Sequence, residues 1–418
     1  MNILNAITRE AKFMVRDRAV LVWMMVVFIL SSLAVWSGMD SVEQQRASIE
    51  RLQEADREDR MLQLSQIKSW GSAAYYGFYL THDEPSDFAF ASMGQRDLLP
   101  WKHRVRMLAL EGQIYERDTG NPLLALVGRL DFAFVAVFVL PFVLIMLLYD
   151  LRAGERIAGR HDLLVAVAGR DASFWLIRAF IRALSIFFCL VIPLFIAGLI
   201  AETSLTTLLL ASLFVFVYTI FWTLLCYWFA AWRLSASVIL VALAGVWITL
   251  AVIVPAAGRM SIDRMVPIPS GADILMTQRE AVNDAWDLPK ATTMNAFWER
   301  YPEWNEYKLK EGSFDWSWYY AFQQVGDQKT EPLTMTYREG RLERDRLAGI
   351  LSLLAPPILL ERSLQALAKT DFSAAIAYED RVRDFHKELR DFYYQKMFRK
   401  EAFDNKLLKY LPVFAAGK

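Results

Sequence analysis

The chain has 418 residues, 55% hydrophobic and 14% aromatic yet 22% charged, a mixture that fits a membrane bundle joined to sizeable water-exposed parts. Lysine plus arginine equals aspartate plus glutamate at 46 each, which excludes an overall basic footprint for nucleic acid. Both cysteines, Cys189 and Cys226, fall inside apolar runs, so the polar stretches fold without disulfides.

Residues 1–18 read as an amphipathic helix. At 100° per residue Ile3, Leu4, Ile7, Ala11, Met14 and Val15 share one face, and Arg9, Lys12 and Arg16 gather on the other. A basic amphipathic segment just before a span fits a helix lying in the cytoplasmic interface; a mobile basic leader is the plainer alternative. It is not a cleavable signal, because the apolar run that follows is of full spanning length.

Residues 19–39 form the first span, 21 residues without a charge, with Trp23 and Trp36 near its ends. Four more charge-free runs follow at Phe132–Tyr149, Ala183–Ala201, Thr203–Trp232 and Leu234–Gly258. A helix satisfies its own backbone in lipid, so these runs predict five spans, in segments 19–39, 132–149 and 183–258. The positive-inside rule places Arg9, Lys12, Arg16 and Arg18 in the cytoplasm, and with them the loop 150–182, which carries Arg152, Arg156, Arg160, Arg170, Arg178 and Arg182.

That topology sends residues 40–131 and 259–418 outside as two largely helical domains. In the first, 15 acidic and 11 basic residues make a mildly acidic unit. Its opening, Ser41–Trp70, suits a continuation of the first span; Gly71–Pro100 mixes aromatics with turn residues, and Trp101–Tyr115 is expected to be helical. In the second, Trp286, Phe297, Trp298, Trp304, Trp316, Trp318, Tyr319 and Tyr320 suit a disulfide-free core better than a stacking platform for ligands. Leu347–Leu360 is apolar but short and broken by Pro356-Pro357, which fits a buried or interfacial segment. Phe372–Phe398 returns to helical spacing. The expected fold class is therefore mostly α, a polytopic α-helical membrane protein.

Catalytic chemistry is missing from the pattern. There is no GxxxxGK[ST] loop for a nucleotide, no HExxH or paired-cysteine metal spacing and no GxSxG turn. His82, His103, His161 and His386 stand alone. The acidic neighbours Asp83/Glu84 and Glu379/Asp380 read as solvated charges. No ionisable residue lies inside the five runs, which disfavours an ion-coupled carrier and places the energy source outside the membrane. No catalytic residue, metal ligand or cofactor is expected on this chain.

The loop Asp150-Leu-Arg-Ala-Gly-Glu155-Arg156-Ile-Ala-Gly159-Arg160-His161-Asp162-Leu163-Leu164, ending at Arg170, resembles that of permease subunits of the ABC type-2 exporter family. Those proteins share a cytoplasmic elbow helix with a Glu and an Arg, here Glu10 and Arg16 next to Arg9. They also share a long excursion after span one and a loop of the form Glu-Arg…Gly…Leu-Leu…Arg. The resemblance implies that Glu155, Arg156, Gly159, Arg160, Leu163, Leu164 and Arg170 couple to a separate ABC ATPase that carries the ATP and Mg. It departs from the family at Arg160-His161, where Thr-Leu is common. The C-terminal third, with Pro356-Pro357, Glu361-Arg362-Ser363-Leu364, Leu367-Ala368-Lys369-Thr370-Asp371 and Tyr378, is similar to a subgroup with an uncharacterised outer domain. Lys369 stands there for the usual glycine.

The resemblance further implies pairing with a second permease copy or a paralogue, a bacterial inner-membrane location with both large domains in the periplasm, and room for a periplasmic partner. The expected function is export of an unidentified cargo across the inner membrane. The alternative is an ABC complex that transmits force to its outer domains without transport. Relatives usually end in a sixth span; none follows Phe398, and the expectation is that the sequence stops early.

Overall fold

The structure, a computed structural model, describes residues 3–116, 130–168, 171–307, 309 and 313–415. In chain order the helices are α1 (Ile3–Arg16), α2 (Arg18–Ser65), α3 (Trp70–Tyr76) and, after a hairpin, α4 (Leu110–Tyr115). The hairpin pairs β1 (Phe78–His82) antiparallel with β2 (Lys102–Arg106). The spanning part continues with α5 (Phe132–Phe134, a π turn Val135–Val139, then Leu140–Leu148), α6 (Ala153–Ile157), α7 (His161–Ala168), α8 (Asp171–Ile200) and α9 (Leu205–Ala230). Its last member is α10 (Ala236–Ile248, a π turn Thr249–Ile253, then Val254–Met265). Beyond it come α11 (Gly271–Asp287), α12 (Lys290–Arg300), α13 (Trp316–Ser352), α14 (Pro356–Ala368) and α15 (Phe372–Phe398).

Among the described residues five helices are long and apolar enough to cross a membrane: Arg18–Gln63, Phe132–Ile157, Phe174–Ile200, Leu205–Ala230 and Ala236–Met265. The chain is thus a mostly α, polytopic helical membrane protein. One apolar core runs through the bundle, from Val27 and Ala34 on α2 through Leu144, Leu190 and Trp222 to Ile239 on α10. Proline inside the second and fifth spans removes a backbone donor, and in each a π turn precedes it, at Pro141 and Pro255. Pro141 leaves the Val137 carbonyl without its usual i+4 partner. Tyr218, reaching over from α9, donates its hydroxyl to that oxygen at 2.9 Å.

α2 does not stop at the membrane. Its 48 residues form one helix of about 72 Å, as the continuation of the first span into Ser41–Trp70 suggests. Its far end enters a polar body in which residues from 40–116 and from beyond 270 share one core. Trp70, Tyr79, Val105 and Leu110 pack there with Phe297, Trp318, Tyr320, Val382 and Tyr393. Buried polar groups lock the two stretches together. Asp327 on α13 accepts from the Leu110 and Glu111 amides at 2.8 and 3.2 Å, from Gln278 at 2.7 Å and from Arg390. Arg383 forks onto Glu111 at 2.9 and 3.0 Å. The aromatics of the second stretch are core: Phe297, Trp318 and Tyr320 are buried, and the half-exposed Trp286 leans on Trp318.

Two expectations are corrected here. Residues 101–115 are not one helix. Lys102–Arg106 pairs with Phe78–His82, so that Val105 faces Tyr79 in the core and the alternating charged residues point away; only Leu110–Tyr115 is helical. The pairs Asp83/Glu84 and Glu379/Asp380 are not simply solvated. Asp83 lies between Arg96 and Arg381, Glu379 meets Arg341 at 2.8 Å, and Asp380 meets Arg338 and Arg383. Partners distant in the chain supply what sequence adjacency hides.

His386 is fully buried and donates from Nε2 to the Arg106 carbonyl at 2.8 Å. Burial, reinforced by Arg390, lowers its pKa to about 3, and burial with Arg383 nearby lowers that of His103 to about 4. Both remain neutral in the fold, whereas the unfolded chain protonates them near 6.5. Below that pH the unfolded state binds more protons, so stability is complete above about 6.5 and is lost as the pH falls toward 4. The expected slope approaches ~1.4 kcal/mol per pH unit for each histidine. Thermal unfolding in detergent followed by tryptophan fluorescence between pH 7 and pH 4 checks this, and His386→Gln flattens the profile relative to the unsubstituted chain.

Candidate coupling site

At the end of the bundle away from the polar body, short helices and charged side chains tie three parts of the chain together. Asp17 separates α1 from α2 and caps the second by accepting from the Ala19 amide at 3.1 Å. This turn lays α1 against α8. Glu10 is thereby buried, at 4% exposure, and receives Arg178 Nε at 2.8 Å. The same guanidinium donates from Nη1 to Glu155 on α6 at 3.2 Å, and Glu155 takes Arg160 Nε at 2.8 Å. Arg178 also lies over the rings of Phe174 and Trp175, at 4.7 and 5.2 Å. One arginine on the third span therefore clasps the elbow helix and the loop helix together.

A second arginine, Arg182, repeats the theme one turn further along α8. It donates to Asp17 at 3.2 Å and to the Leu147 carbonyl at the end of the second span at 2.9 Å. Arg152 holds the Tyr227 hydroxyl of the fourth span at 3.1 Å. Arg156 reaches the carbonyls of Trp232 and Leu234, at 2.9 and 3.3 Å, in the turn before the fifth span. The loop is thus bonded to spans two, three and four and to the entry of span five, so that a displacement of it is felt by all of them.

Between α1, α6 and α8 lies a cleft of about 630 Å³. Arg9, Arg16, Arg160, Arg178 and Arg182 line it together with Glu10, Asp17 and Glu155. Of the residues expected at this site, Arg9, Glu10, Arg16, Glu155, Arg160 and Leu164 meet at this cleft. Arg156 points instead to the 232–234 turn. Leu163 projects outward at 66% exposure, beside Ile157 at 80%. Arg170 lies outside the described residues.

Gly159 serves the shape of the loop. Its φ is +66°, its amide bonds to the Arg156 carbonyl and the Arg160 amide to the Glu155 carbonyl, the paired pattern that ends a helix on a left-handed residue. The residues that sequence reasoning left as mere topology markers are Arg178 and Arg182. Their signal was present: Phe174, Arg178 and Arg182 recur at i, i+4, which puts them on one face of α8.

This arrangement, a bundle of five membrane-crossing helices with a bonded loop at one end and a large polar body at the other, defines the class as a polytopic membrane protein with an interhelical charge clasp. Residues 273–416, from α11 onward, match a family described as a domain of unknown function, DUF3526. Among its described residues the matched region supplies much of the polar body and also α14, whose Leu360, Leu364 and Ala368 pack in the core of the bundle. No curated protein and no solved structure matches the chain.

Arg178→Gln removes the shorter of two ion pairs on the buried Glu10 carboxylate, leaving Arg9 Nε at 3.5 Å, and the loss of that charged hydrogen bond costs about 2 kcal/mol. The check is thermal unfolding in detergent, and the double variant Glu10→Gln/Arg178→Gln is expected to recover a large part of the loss. Gly159→Ala forces a Cβ into the left-handed region where nothing lies within 4 Å, so the cost is backbone strain alone, about 1 kcal/mol. It is read as a small drop in melting temperature with no change in oligomeric state.

Proposed function

We propose that this chain is the permease subunit of an ATP-driven exporter of the ABC type-2 class, with the ATPase on a separate polypeptide gripping the loop 150–182. The observation that carries the reading is the clasp: Arg178 joins Glu10 of the elbow helix to Glu155 of the loop. Force applied to α6 or α7 would reach the elbow helix and the third span through ion pairs that are largely out of water. Ile157 and Leu163 support a docked partner, because two large apolar side chains stand exposed on the loop at 80 and 66%. In this reading the loop faces the cytoplasm of a bacterial cell, the protein sits in its inner membrane and the polar body stands in the periplasm. ATP and Mg belong to the partner.

A second reading, in which hydrolysis moves the polar body without moving cargo, draws support from the unbroken helix α2. A tilt of the first span is carried directly into the polar core at Ile49 and Asp56, both buried. The two readings share the ATPase and differ in what the motion accomplishes.

Purification in mild detergent from the native host is expected to recover a stoichiometric ATPase. Ile157→Ser/Leu163→Ser should reduce its retention about tenfold, the equivalent of ~1.4 kcal/mol of lost docking energy, while leaving the chain monodisperse. Glu155→Ala/Arg156→Ala is expected to keep the protein in the membrane but to uncouple ATP hydrolysis from transport. An ATPase bound equally well by all these variants would remove the loop from the contact.

A further inference from the structure

The place where the polar body meets the fifth span holds a second cleft whose chemistry differs from that of the clasp. α13 descends antiparallel to the outer part of α10. Gly340 lies against Ile268, and Leu351 lies against Gly258, where an added Cβ would sit 2.1 Å from its Cδ2. Leu353 and Leu354 follow in the turn after α13, just beyond the Leu351 contact with Gly258, the last residue of the charge-free run. The chain then turns and climbs away as α14, which packs on α9 and on the π turn of α10. Around this tip Ile350, Leu353, Leu354 and Leu359 are 52, 72, 74 and 43% exposed. From Leu347 to Leu360 there is no charged residue. Such a surface continues the lipid-facing belt of the spans into the hairpin.

Between hairpin and span a groove of about 420 Å³ opens beside this tip. Its walls are apolar where it borders the span, with Pro255, Ile262, Leu351 and Ile358, and charged at the rim. Arg362 forks onto Asp345 at 2.6 and 3.0 Å, and Arg341 is answered by Glu379 at 2.8 Å. Asp263 is shared: Arg344 holds it at 2.8 Å, while Arg259 reaches it only at 3.9 Å with its side chain 87% exposed. Arg259 is the first charge beyond the apolar run, at the depth where a lipid phosphate would sit.

We propose that this groove holds a glycerophospholipid of the leaflet next to the polar body, with its phosphodiester on Arg259 and an acyl chain running past Leu351 and Ile358 toward Leu354. A guanidinium with one long ion pair has donors to spare for a phosphate fork. The apolar walls and exposed leucines match a chain and exclude a ligand that is polar throughout. The lipid would fill the joint between span and polar body, so that the two move as one piece. The site stands apart from the clasp and does not depend on an ATPase.

The test uses the full chain, stripped of loosely held lipid in detergent, with phosphatidylglycerol added back and retention read by native mass spectrometry. The unsubstituted chain is expected to keep one phospholipid through a wash that removes the others. Arg259→Gln, at an exposed position, should lower that occupancy roughly tenfold, and Ala348→Trp, which fills the groove from α13, should do the same. Inorganic phosphate in place of lipid should neither bind measurably nor displace it. Equal retention by all three proteins overturns the site, and displacement by inorganic phosphate alone overturns the lipid in favour of a plain anion.

Discussion

Hydrocarbon tolerates neither an unpaired backbone group nor an isolated charge, and that constraint separates the chemistry of this chain into two ends. Five helices carry the apolar runs, and every charge is expelled to where they emerge. At one end the expelled charges become a clasp, Arg178 holding Glu10 and Glu155 against the aromatic floor of Phe174 and Trp175. At the other they become the ion-paired frame of the polar body, where Asp327, Glu111 and Glu379 each meet an arginine from another element. The same rule explains the π turns before Pro141 and Pro255: a missing donor in lipid has to be accommodated locally or met by a neighbour, as Tyr218 meets Val137.

Mechanical continuity follows from helices that ignore the membrane boundary. α2 crosses and continues into the polar core; α10 crosses and continues to Met265, where Arg344 takes its Val266 carbonyl. α13 and α14 return to the bundle and pack on α9 and α10. The polar body is therefore not tethered by a loose linker. It is braced by the first span, the fifth span and the α13–α14 hairpin, and a tilt of any of them has to be shared. The clasp at the opposite end ties the elbow helix and the loop to spans two, three and four. Such wiring suits a device driven at one end and read at the other.

Periodicity and charge exclusion made the spans, the elbow helix and the loop legible, because each depends on a local pattern: twenty or so apolar residues, a 100° repeat, a basic cluster beside a span. Glu10 and Glu155 were visible as motif residues, but their common partner was not, since Arg178 lies far from both in sequence and is near them only once α8 crosses between α1 and α6. The strand at Lys102–Arg106 was missed for a related reason. Four of its five residues are basic, and His103 and Val105 alone face inward, so the alternation is short and the partner of Val105, Tyr79, lies outside any local window. His386 likewise reads as an isolated histidine until the hairpin brings the Arg106 carbonyl to it.

By itself the sequence determined that this is a helical protein of the membrane, with five helices among the described residues long and apolar enough to cross it, since burial in lipid is decided by runs of residues that no later folding step can alter. Tertiary structure decided which charges meet, because ion pairs across the bundle join residues more than a hundred positions apart. It also decided that residues 40–116 and the stretch beyond 270 share one core. A core is a property of surfaces brought together, and no local pattern encodes the partner.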